Sequence, residues 1–186
     1  MEKIDVISWL NTHLVNKKIN AKSVEHVMHF SLLWNLFEHT YYTKTNNLNP
    51  TSLFKLSEIS ITDLDDDEID KYYNHFKKRY IGADSLSNSK FNKLLLCKTS
   101  KSNTLTNYEF CKNIFENEIA EKEDKLKCLF LIIHRFRNNL FHGNKKTLTL
   151  NLYEREFKVI NKFLMHFIEQ TGKNEIINNK RFSKRN

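Results

Sequence analysis

Only three glycines and one proline interrupt 186 residues, and so few breakers favour helices throughout. Cysteine is equally sparse. Cys97, Cys111 and Cys128 are odd in number and far apart, which argues against a disulfide framework and against zinc-ligand spacing, so they read as reduced core residues. The longest apolar run, Cys128 to Ile133, is six residues, far short of the ~20 that cross a bilayer. The opening Met1-Glu-Lys-Ile-Asp-Val lacks the pattern of a signal peptide. A cytoplasmic chain with no membrane partner is expected. Phosphate-cradling glycines and a nucleophile elbow are also missing, so nucleotide hydrolysis and serine-hydrolase chemistry have no support.

What is present is apolar and basic. Hydrophobic residues make up 40% of the chain, with 14 Phe, enough for one domain with a sizeable core. A formal charge of +8 suits an anionic partner, and nucleic acid is the obvious one. Enrichment in Lys, Asn and Ile also fits compositional drift, but arginine is scarce, so Arg135 and Arg137 within three residues stand out.

Helical spacing organises the chain. Glu2 to Val15 reads as a first amphipathic helix. Ser23 opens a longer one to about Tyr42, with Val27, Phe30, Trp34, Phe37 and Tyr41 on one stripe and Glu38 at its edge. His26 and His29 lie one turn apart on this helix but have no third ligand at metal spacing. Residues 43–51 read as a polar connector holding Pro50. Glu58 to Asp70 carries seven carboxylates and no basic residue, and reads as a loop and an N-terminal helix turn, since it lacks the glycine turn and closing Glu of a calcium loop. Asp70 to Tyr80 is expected to be helical and to break at Gly82. Lys90 to Lys98 reads as a short helix within an excursion that ends near Thr106. Thr106 or Asn107 begins a helix that is read as running on into the apolar helix, and Leu150 to Thr171 is the last. The expected organisation is one all-α domain over residues 1–172, followed by a basic, flexible tail, 173–186.

The apolar run leads directly into Arg135-Phe-Arg-Asn-Asn-Leu-Phe-His-Gly143. At about 100° per residue, Leu126, Leu129, Phe130, Ile133 and Phe136 share one arc of the helix, and Arg137 falls within it while Arg135 points away. A guanidinium on an apolar face cannot shed its charge, so it meets a carboxylate, a phosphate or a partner chain, or else snorkels at the helix end. Glu38 is either a solvated edge carboxylate or the partner of Arg137. Asn138, Asn139 and His142 add groups that bond phosphate or transfer protons, and Gly143 reads as the helix stop.

Arg137-Asn138-Asn139-Leu140-Phe141-His142 resembles the signature of the HEPN superfamily, helical domains many of which are metal-independent ribonucleases. The resemblance implies an all-α, HEPN-like bundle of mostly antiparallel helices. It implies a catalytic set of Arg137, Asn138 and His142, supported by Glu38 and Asn139, with no cofactor and no metal. It also implies RNA as substrate, a homodimer with a shared cleft, and an antitoxin or defence-system partner. In that setting His142 transfers protons, Arg137 holds the phosphate and Asn138 orients one of the two; a helical module that binds RNA or protein without cutting is the alternative. Some toxin members carry a Tyr two residues after the His, which a nucleotidyltransferase antitoxin modifies with AMP. Asn144 stands there in this chain, which argues against that control. Arg137 and His142 are five residues apart, about 140° around an ideal helix, so one regular helix cannot turn both toward one substrate. Either the helix breaks at the two asparagines or a second subunit completes the site.

Overall fold

The computed structural model describes residues 5–13, 19, 21–41, 49–94, 96, 106–142 and 152–171. Among them it is all-helical, with α1 Val6–His13, α2 Ala21–Tyr41, α3 Pro50–Ser60, α4 Asp66–Tyr80, α5 Ser89–Asn92, α6 Asn107–Glu116, α7 Lys122–Phe141 and α8 Glu154–Thr171. Several readings lie outside the described residues, among them residues 43–48 of the connector, the thiol of Cys97, the stop at Gly143, Asn144, the stop at Gly172 and the tail after it. No described helix is long and apolar enough to cross a membrane.

The architecture follows from α7, which buries Leu126, Cys128 to Ile133 and Phe136, residues that occupy nearly every side of a helix. Such a helix needs neighbours all round. α2 supplies Phe30, Trp34 and Phe37, and α8 supplies Phe157, Phe163 and Phe167. Ring contacts such as Phe37–Phe130 at 5.7 Å, Phe130–Phe163 at 5.7 Å and Phe136–Phe157 at 5.6 Å join the three. The buried side chains from α2 to α8 form one cluster. Cys111 and Cys128 are free thiols inside it.

Helix directions are mixed. Phe136 meets Phe157 while Phe130 meets Phe163, so α8 runs antiparallel to α7. Lys125 meets Asp70 and Phe136 meets Phe76, so α4 runs parallel to α7. Phe30 meets Phe157 and Tyr41 meets Thr171, so α2 runs parallel to α8. The expectation of mostly antiparallel helices therefore holds for α8 against α7 and not for these other two pairs. The physical reason is order along the chain: α7 and α8 are consecutive, whereas α4 and α7, and α2 and α8, are separated by other helices, so no direct turn reverses either pair.

Several boundaries differ from the sequence reading. Pro50 begins α3 rather than lying in a connector, because Asn49 and Ser52 form a reciprocal capping box and proline suits the first helical position. The acidic run is divided: Glu58 lies in α3, Asp65 caps α4, and Asp66, Asp67 and Glu68 form its first turn. α2 begins at Ala21, before Ser23. α6 stops at Glu116 rather than continuing into the central helix, after starting from a Thr106–Glu109 capping box. The short helix of the excursion is only Ser89–Asn92, and Phe91, Leu94 and Leu96 anchor it to the core.

Candidate functional site

The motif occupies the last turn of α7, and the helix stays regular through it. α7 continues past Asn138 and Asn139 to Phe141, and the His142 amide donates to the Asn138 carbonyl at 3.0 Å. A break at the two asparagines is therefore excluded, and Arg137 and His142 leave the axis about 140° apart. His142 is the exposed cap residue.

Arg137 is half-buried between α7 and α2. Its Nη2 lies 3.7 Å from Glu38 Oε1, so the edge carboxylate of α2 is turned toward it. Nη1 donates to Asn138 Oδ1 at 3.2 Å, and the guanidinium lies 5.4 Å from the centre of the Phe141 ring. Its Nε is buried and meets no acceptor among the described residues. A buried donor left unmatched costs about 1–3 kcal/mol, so this cation is held in place but incompletely satisfied.

Asn138 is the link between two basic side chains. Its Oδ1 accepts from Arg137, while its Nδ2 lies 3.4 Å from His134 Nε2. His134 was missed by sequence reasoning, although its place four residues before Asn138 was the available signal. Its ring is 6.3 Å from Trp34, and burial pushes its pKa down to about 4, with Arg137 and Arg135 adding to the fall. The neutral imidazole can thus accept the Asn138 proton and fix the amide. Asn139 is not part of this cluster. It is 1% exposed and its Nδ2 donates to the Leu94 carbonyl at 3.3 Å, on the far side of α7 from Arg137. That bond ties α7 to the segment after α5 and places Asn139 apart from the other motif side chains.

A folded pKa below the unfolded value of about 6.5 means that unfolding takes up a proton between pH 6.5 and 4. Stability from His134 is therefore complete above that window and lost as pH falls through it, by about 3 kcal/mol in the limit. His75, lowered chiefly by burial, contributes in the same direction. Urea midpoints measured from pH 7 to 4 should fall less steeply in His134→Gln, which keeps an acceptor for Asn138 but does not titrate. Parallel pH curves for the two proteins would refute the assignment.

Three carboxylates of the acidic run face lysines of α7, and Glu68 instead meets Lys71 and His166. Lys122 pairs with Asp66, Lys125 with Asp70 at 2.7 Å, and Lys127 lies 3.6 Å from Glu58. Among the described residues no group of three or more His, Cys, Asp or Glu is arranged to hold a metal ion. The structure thus defines an all-helical protein with a half-satisfied arginine and an exposed histidine at the end of its central helix. No family model matches the chain, and neither a curated protein nor a solved structure does.

Proposed function

We propose that the chain is a metal-independent endoribonuclease of the HEPN type, with a HEPN-like bundle and a site shared across a homodimer. The observation that carries this reading is Arg137: it is turned toward Glu38, braced by Asn138 and short of one acceptor, five residues before the exposed His142. In the reaction, one His142 imidazole takes the proton of the RNA 2′-hydroxyl, whose oxygen attacks the adjacent phosphorus. Arg137 stabilises the negative charge of the phosphorane, and a second His142, as imidazolium, protonates the departing 5′-oxygen. The products are a 2′,3′-cyclic phosphate and a free 5′-hydroxyl.

The straight helix supports a dimeric reading, because about 140° separates Arg137 from His142 within one chain. α2, which carries Glu38, also turns Met28 and Leu32 to solvent on the side opposite its core stripe, and so offers apolar surface for a second copy. The competing reading, a HEPN-like module that binds RNA or protein without cutting, draws on the same separation of Arg137 from His142. An antitoxin or defence-system partner would restrain or trigger the nuclease.

Incubating the purified protein with total RNA in EDTA tests the reading. Cleavage should persist and leave 2′,3′-cyclic phosphate ends, because the nucleophile is the substrate's own hydroxyl. Loss of cleavage on chelation, with recovery in magnesium, would move the chemistry to the acidic residues near Asp66. Intact RNA under all conditions would favour the binding module.

A further inference from the structure

Charge along α7 is divided between its halves. The lysines of the first half meet carboxylates, Asp66, Asp70, Glu58 and Glu123. In the second half Arg137 has Glu38, and Arg135 has no carboxylate in ion-pair range among the described residues. The sequence leaves little prospect of one nearby, for it holds no Asp or Glu between Asp84 and Glu109, and none between Asp124 and Glu154.

These two carboxylate-free stretches meet at Arg135. The Leu94 carbonyl, at the end of the turn after α5, accepts from Arg135 Nε at 3.2 Å and from Asn139 Nδ2 at 3.3 Å. That bond aims the guanidinium without neutralising it. The side chain is half-buried, so its direction is set by packing. A pinned, uncompensated guanidinium in a region poor in carboxylates is suited to phosphate, which it can grip through two parallel N–H bonds.

Helix geometry adds the neighbour. Arg135 and His142 are seven residues apart, so they project within about 20° of one another and about 10 Å apart along the axis, with Asn138 between them. Arg137 projects about 160° away from Arg135. Within one chain, therefore, the cation on the His142 side is Arg135.

We infer that Arg135 is a substrate-positioning residue that holds a backbone phosphate flanking the scissile one and lays the RNA strand along the Arg135–Asn138–His142 face of its own chain. The inference rests on the ribonuclease reading above. It assigns the two arginines separate tasks: Arg135 aligns the strand for His142 of the same chain, and Arg137 reaches the scissile phosphate from the other subunit. A backbone contact of this kind positions the strand without reading its sequence.

Arg135→Gln tests it, since glutamine can still donate to the Leu94 carbonyl but carries no charge. Cleavage kinetics should show KM raised on the order of tenfold, with kcat changed far less and the melting temperature retained. Binding of single-stranded RNA to the cleavage-impaired His142→Ala protein, with and without Arg135→Gln, should give a slope of log affinity against log salt that is shallower by about 0.7, the loss of one phosphate contact. Arg135→Lys, which restores the charge, should restore the slope. An unchanged KM and slope in a protein that otherwise cuts RNA overturns the assignment, as does a KM change that comes with lower thermal stability and an unchanged slope. A wild-type protein that cuts no RNA overturns the ribonuclease reading beneath it, which the cleavage measurements report separately from the binding slope.

Discussion

Replacing His142 by alanine is expected to lower the rate of RNA cleavage by at least about 10²-fold, the usual contribution of a positioned acid or base, while helicity and melting temperature stay nearly unchanged. The expectation combines chemistry with position. His142 is the residue of the motif whose side chain ordinarily exchanges protons near neutral pH, and it lies at the exposed end of α7 rather than in the core. Its structural contribution is a backbone bond, from its amide to the Asn138 carbonyl, which alanine retains. A large loss of activity without loss of stability is therefore the signature of chemistry. If the variant cleaves RNA at the wild-type rate, His142 is a cap residue and the motif does not act as a nuclease. Circular dichroism and a thermal melt on the same preparation separate this from unfolding.

The core was the most legible part of the chain. The six-residue apolar run announced a buried helix, and the stripes of α2 and α8 follow helical spacing closely enough that Phe30, Trp34, Phe37, Phe157, Phe163 and Phe167 are all buried as their periodicity implies. α3 was hidden because Pro50 was read as a breaker, although proline at a first helical position, with Asn49 and Ser52 flanking it, is a start signal. The break between α6 and α7 has neither glycine nor proline to mark it. Residues 117–121 leave the helix while Ile119 stays in solvent, and local propensity does not reveal that choice.

The candidate site was legible only along its own helix. Arg137 on the apolar arc and His142 beyond it follow from spacing, whereas the edge position of Glu38 fitted a solvated carboxylate as well as a partner for Arg137. The distance of 3.7 Å between Glu38 and Arg137 depends on how α2 crosses α7, and no sequence period carries that information. The same holds for Leu94, whose carbonyl receives Arg135 and Asn139 across more than forty positions of chain. Backbone acceptors have no letter in the sequence. The lysines of α7 account for Glu58, Asp66 and Asp70 of the acidic run in the same way, since these partners lie on other helices.

Mixing two inactive variants, Arg137→Ala and His142→Ala, under subunit exchange is expected to recover a measurable fraction of the wild-type cleavage rate. α7 is continuous through Asn138 and Asn139, so the two side chains of one chain remain about 140° apart and cannot converge by a bend in the helix. In the mixed dimer, one chain still provides Arg137 and the other His142, and across a shared cleft these face the same phosphate. Each variant homodimer lacks one of the two groups altogether and stays inactive. Recovery should remain below wild type, because only one histidine is left to serve as both base and acid. Wild-type chains mixed with an Arg137→Ala/His142→Ala double variant give the complementary result. There the surviving Arg137 and His142 belong to one chain, no pair spans the cleft, and the mixed dimer should be silent. If instead that dimer keeps about half the activity while the first mixture recovers none, with exchange verified by mass in both, each chain carries a self-contained site. The phosphate on the His142 side would then have to be held by a cation of the same chain, and Arg135, which projects within about 20° of His142, is the described residue placed to do so.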